Sequence, residues 1–138
     1  MDLLLGVLIA WLSSNFDLPA EHRPPNIGFV AQERLSSIRF GGSVAIDGRA
    51  LVAVYDDRSR TIYIADDWTG HTPAHTSILI HELVHHLQND SKRVFACPAE
   101  REALAYEAQE RWLGLFNQSL AAEFGIDAFT LKVRTSCM

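Results

Sequence analysis

The stretch Ser77-Ile78-Leu79-Ile80-His81-Glu82-Leu83-Val84-His85-His86-Leu87-Gln88 constrains this chain most, because it sets His-Glu-x-x-His inside an apolar pattern of helical period. Residues four apart share a helix face, so His81 and His85 can offer imidazole nitrogens to one Zn²⁺ at about 2.0–2.1 Å. Glu82 lies about 100° further round, placed to reach a zinc-activated water as general base rather than to join the ligands. Leu79, Ile80, Leu83, Val84 and Leu87 take the opposite face, which gives the helix one side for a core and one for a cleft. Thr72-Pro73 supplies an N-cap and a proline at the first helical position, so the helix starts about two turns before His81. The competing account is a pair of histidines on a solvated face.

A chain of 138 residues makes one unit, residues 1–138, large enough for a core. Twelve Lys+Arg against seventeen Asp+Glu give a net charge of −5, which argues against nucleic acid as a partner. Residues 3–12 are apolar but too short to span a bilayer. The segment before them, Met1-Asp2, is acidic, and no Ala-x-Ala-like site follows, so a buried first helix is expected rather than a signal peptide. Cys97 and Cys137 lack Cys-x-x-Cys spacing. A bridge between them would fit a periplasmic or secreted protein and two free thiols the cytoplasm, and the spacing does not choose.

Pro24-Pro25 forces an extended connection into a short strand, Ile27-Gly28-Phe29-Val30, and residues 31–38 read as a second helix. Ser43-Val44-Ala45-Ile46 runs into Asp47-Gly48, the dipeptide of a tight hairpin, and Leu51-Val52-Ala53-Val54-Tyr55 returns. After a polar loop, Thr61-Ile62-Tyr63-Ile64-Ala65 gives a third strand of the same meander. Asp66, Asp67 and Trp68 then cap the loop or line a cleft rim. The expectation is an α+β chain with a small antiparallel or mixed sheet ahead of the His-Glu-x-x-His helix.

Pro98 opens a long helix to about Asn117, carrying Glu100, Glu102, Glu107 and Glu110. A catalytic zinc takes three protein ligands and keeps a position for water, so His81 and His85 need a partner. Plotted at about 100° per residue, Glu102 shares a face with Ala99, Tyr106, Gln109, Leu113 and Phe116, a stripe suited to facing inward. Glu107 falls with Glu100 and Arg111, where a solvated charge run is the simpler account. Glu102 is therefore the leading candidate for third ligand, with Glu107 and acidic or histidine residues outside this helix as alternatives.

His81-Glu82-x-x-His85 followed by Glu102-Ala103-Leu104-Ala105 resembles the gluzincins, zincin metallopeptidases whose third ligand is a downstream glutamate. The residue-level match covers the two helices, and element order extends it over residues 43–117. His-His-Leu-Gln and Ala-Tyr-x-x-Gln after the motif also resemble small bacterial zincin-like domains of unassigned function. The resemblance implies a minimal zincin-like domain, its sheet packed on the His-Glu-x-x-His helix and on a second ligand-bearing helix. It further implies one Zn²⁺ per chain and a peptide or protein substrate.

The spacer from His85 to Glu102 is 16 residues (86–101), and 21 residues (118–138) follow Asn117, so no second lobe is expected. Roles that larger relatives draw from such a lobe would fall to neighbours: Tyr106, Tyr63 and His86 as groups behind the metal or on the substrate, with His71 and His75 behind them. For each, packing or surface placement is the alternative. The implied mechanism is peptide hydrolysis by zinc-activated water with Glu82 as base; the alternative is a non-catalytic regulatory or interaction module that keeps the metal for stability or sensing.

Overall fold

The computed structural model describes residues 1–19, 23–38 and 52–137. Helix α3 (Pro73–Ser91) is the element on which the first helix, the sheet and the following long helix pack. It begins as its sequence dictates, with Thr72 Oγ1 accepting the His75 N–H at 3.1 Å and Pro73 in the first turn. It ends at Lys92, left-handed at φ 56°, whose N–H returns to Asn89 O. Leu79, Ile80, Leu83, Val84 and Leu87 are wholly buried, and each such side chain contributes about 1.5–3 kcal/mol by leaving water.

Helix α1 (Asp2–Asn15) lays Leu5, Leu8, Ile9 and Leu12 into the same core as α3. Trp11 meets Trp112 and Phe16 edge-on, with centroids 5.2 and 5.8 Å apart. The first helix is thus buried on one face, and no helix among the described residues is long and apolar enough to cross a membrane.

Strands β1 (Asn26–Val30), β2 (Ala53–Asp56) and β3 (Thr61–Ala65) form a mixed sheet in the order β1-β3-β2. The short strand expected at 27–30 is β1, which runs parallel to β3 (Asn26↔Thr61 to Val30↔Ala65), while β2 is antiparallel to it (Ala53↔Ile64), so the sheet is mixed. The chain leaves β1 through helix α2 (Gln32–Ile38), and such a crossover lets β1 and β3 point the same way. The predicted hairpin strand Ser43–Ile46 and its Asp47-Gly48 turn lie outside the described residues. Alternation along β3 sends Ile62 and Ile64 to the α3 core and Tyr63 and Ala65 to a second cluster with Leu35 of α2 and Val54.

Helix α4 (Pro98–Gly114) crosses α3 and carries Ala105 and Ala108 into its core. Its last turn closes through Asn117, left-handed at φ 59°, with N–H bonds from Asn117 to Gly114 O and from Gln118 to Leu113 O. Two short helices follow, α5 (Leu120–Phe124) capped by Ser119 and α6 (Ala128–Thr135) capped by Asp127. A disulfide joins Cys137 to Cys97, with Cα atoms 5.8 Å apart, and so ties the end of α6 to the start of α4. The architecture is α+β, with six helices and a three-stranded mixed sheet among the described residues.

Candidate metal centre

His81 and His85, one turn apart on α3, converge on Glu102 from the second turn of α4. Glu102 Oε2 stands 3.1 Å from His81 Nε2 and 3.0 Å from His85 Nε2. One ligand atom from each of the three residues lies within 4.8 Å of the others, so the group could hold a metal ion. The histidines are buried, and the Glu102 side chain keeps 22% of its surface.

Both ring tautomers follow from what the far nitrogens meet. Ser77 Oγ donates to Ala74 O at 2.7 Å and accepts from Gln109 Nε2 at 3.2 Å. Gln109 Oε1 therefore faces His81 Nδ1 at 2.9 Å, where only a protonated Nδ1 makes a bond. Gln88 Nε2 donates to the Arg101 carbonyl at 3.1 Å, which leaves Gln88 Oε1 to accept from His85 Nδ1 at 3.0 Å. With Nδ1 the donor in both rings, each neutral imidazole keeps its Nε2 lone pair toward Glu102.

Electrostatics agree with the geometry. Burial resists a charge on His81, but the Glu102 carboxylate beside it, with Glu82 and Gln109, outweighs burial and raises its pKa above the ordinary histidine value. Burial would likewise raise Glu102, yet His85 and His81 hold it well below the usual carboxylate range. The pair therefore favours an ionised Glu102, and a proton on His81 competes with a metal ion for the same lone pair.

Glu82 follows His81 on α3, and its carboxylate makes no hydrogen bond to the described residues. Its charge still acts on His81 and Tyr106. Tyr106, one turn beyond Glu102, packs edge-on against His81 with centroids 4.6 Å apart, and its hydroxyl accepts from Arg134 Nη1 at 3.0 Å. Burial, ahead of the opposing bond from Arg134, raises the Tyr106 pKa, so the phenol stays neutral.

Four sequence-named residues, His86, Tyr63, His75 and Glu107, do not join the cluster. His86 is wholly buried, with Nδ1 2.9 Å from the Tyr55 hydroxyl and Nε2 2.7 Å from Arg23 O. It lies about 100° round the helix from His85, so it packs toward β2 instead of the centre. Tyr63 sits on the sheet face turned away from α3, under α2, and its ring touches Gly28. His75 accepts the Thr69 and Gly70 N–H groups at its Nδ1 and stacks on Trp68, so both serve the loop before α3. Trp68 Nε1 completes that loop by donating to His75 O at 2.9 Å. Glu107 is exposed.

Residues the motif did not announce hold the cluster in place: Gln88, Gln109, Ser77 and Arg101. Arg101 forms a two-pronged pair with Asp57 at 2.6 and 2.7 Å and donates to His85 O at 3.0 Å. Gln109 was visible on the inward stripe of α4, and Gln88 lies three residues after His85.

This arrangement defines an α+β protein with a His-His-Glu cluster, its histidines buried, that could hold a metal ion. The chain belongs to the family described as Domain of unknown function (DUF6647), whose profile matches residues 1–138. No curated protein and no solved structure matches it.

Proposed function

We propose that this chain is a zinc-dependent hydrolase, a metallopeptidase on a minimal zincin-like fold of the gluzincin type. His81, His85 and Glu102 are the zinc ligands and Glu82 is the general base. The observation that carries the reading is the meeting of two Nε2 lone pairs with one carboxylate. Ligands about 2.0–2.1 Å from a tetrahedral zinc stand about 3.3 Å from one another, and the separations across Glu102 Oε2 are 3.1 and 3.0 Å. Two imidazoles and one carboxylate are also a donor set that suits zinc.

A zinc ion bound there supplies a Lewis acid that acidifies water and polarises a carbonyl. Glu82 takes the proton of the attacking water on its carboxylate and returns it to the leaving nitrogen. Gln88 and Gln109 keep both rings turned for binding, and Arg101 fixes α4 against His85. The substrate is a peptide or protein.

The test is Glu82→Gln, which keeps the ligands and removes the base. Wild type and variant should each bind about one zinc per chain, and only the wild type should cleave a mixed peptide library read by mass spectrometry. A chain that stays metal-free after purification in excess zinc, or equal cleavage by both proteins, would sink the proposal. A second reading, a zinc module without turnover, draws on the near-complete burial of His81 and His85, 8% and 7% exposed. Tight zinc with cleavage by neither protein would favour it.

A further inference from the structure

Helix α6 is held down by little of its own. None of its residues is buried, and Phe129 and Val133 are 77% and 38% exposed. It rests on α4 through Leu131, beside Leu113, Leu120 and Ile126, and through the Arg134–Tyr106 hydrogen bond. Arg134 Nε is buried with no partner among the described residues, which weakens the docked state further. What remains is the disulfide to Cys97. Cys137 is exposed and Cys97 half-buried, so the bond is open to solvent.

We propose that Cys97–Cys137 is a site of reversible thiol–disulfide exchange with a dithiol reductant, whose reduction releases α6 and withdraws Arg134 from Tyr106. This goes beyond the hydrolase reading and does not need it. One thiolate of the reductant attacks Cys137 Sγ; the S–S bond breaks and its electron pair leaves on Cys97 Sγ. A mixed disulfide then joins Cys137 to the reductant. The second thiol of the reductant, deprotonated, attacks its own sulfur in that bond and expels the Cys137 thiolate. Both cysteines take up protons, and the reductant departs as its disulfide, having given two electrons and two protons.

The fold suits Cys97 to be the leaving sulfur. It is the N-cap of the 17-residue helix α4, and no side chain occupies the capping role there. A thiolate freed at that point meets the positive end of the helix, and a stabilised thiolate leaves faster. Glu100 in that turn opposes this, but it is exposed and screened by salt. Through Tyr106, which packs on His81, release of α6 reaches the metal centre.

The experiment treats the folded, oxidised chain with dithiothreitol in the absence of denaturant, and follows thiol alkylation together with backbone hydrogen exchange. The bond should be reduced, exchange over residues 128–135 should speed up at least about tenfold, and exchange over 73–91 should hold. A disulfide that yields only in denaturant overturns the proposal, as does reduction that leaves 128–135 protected. Faster exchange through α3 as well would show a staple of the whole fold and overturn it equally. Cobalt(II) titrated into C97S/C137S should bind at least about threefold more weakly than to wild type. Equal affinity overturns the coupling to His81, whereas no cobalt binding by either protein overturns the metal reading and leaves the exchange result to stand alone.

Discussion

Gln88 and Arg101 grip one another in both directions: Gln88 Nε2 donates to the Arg101 carbonyl at 3.1 Å, and Arg101 Nε reaches Gln88 Oε1 at 3.4 Å. The same Gln88 oxygen holds His85 Nδ1, so the orientation of His85 on α3 depends on the position of α4. Removing the amide should leave His85 free to rotate and to take the wrong tautomer. Gln88→Leu is expected to weaken zinc binding by about tenfold or more while the far-ultraviolet spectrum stays unchanged. Competition against a chromophoric chelator measures this, and unchanged affinity would show that the amide is idle.

Glu102→Gln should weaken zinc at least about tenfold, or ~1.4 kcal/mol, because a neutral amide is the poorer ligand. Glu107→Gln, at an exposed position of the same helix, should bind as the wild type does. The reverse pattern would mean that α4 turns a different face to α3.

Much of this centre was legible because helical period alone decides which residues share a face. It places His81 with His85 on one helix and Glu102 with Tyr106 and Gln109 on the other. What period cannot supply is the rotation of one helix against its neighbour, and on that rotation rest the contacts of Gln88 with Arg101 and of Gln109 with Ser77. His86 shows the same gap from the other side: adjacency to a ligand suggested a role near the metal, while the angle between successive side chains carries it into the core beside Tyr55. For Tyr63, alternation fixes that it opposes Ile62 and Ile64 without saying which of the two faces meets α3. The parallel pairing of β1 with β3 joins residues 35 positions apart, Asn26 with Thr61, and no local pattern encodes it. Helices α5 and α6 are short, so only their caps, Ser119 and Asp127, announce them.

Tyr55→Phe tests the reading of His86. The Tyr55 hydroxyl meets His86 Nδ1 at 2.9 Å and accepts from Asn89 Nδ2 at 3.1 Å, so its loss removes a partner from His86 Nδ1 and leaves Asn89 Nδ2 with only the Asp57 carbonyl of its two acceptors. Denaturant unfolding should show a loss of about 1–3 kcal/mol, with zinc affinity unchanged. A large fall in zinc affinity at normal stability would instead bring His86 back to the metal.

The pH dependence of stability should change sign with metal. In the metal-free protein the His81 pKa is raised above 6.5. Its contribution is then fully present below the unfolded value and is lost as pH climbs through the folded one. The depressed Glu102 describes the same interaction from the acid side: its contribution is present above its unfolded value of 4.5 and is lost only as pH falls well below that. With zinc the His81 proton must leave first, so the stabilisation by metal grows as pH rises. Melting temperatures between about pH 6 and about pH 8 should fall without metal and rise with it. Parallel curves would remove His81 from the ligand set.

Both imidazoles lean on neutral amides, Gln109 and Gln88, where a carboxylate would have lent them negative charge. Of the three converging side chains, Glu102 alone is an anion. A divalent cation seated among them keeps about one positive charge that its ligands do not cancel, beside two buried imidazoles. Such a centre is electron-poor. It draws in small anions and lone-pair donors as its natural counterparts, so simple carboxylates and hydroxamates should compete for it well before neutral molecules of the same size do.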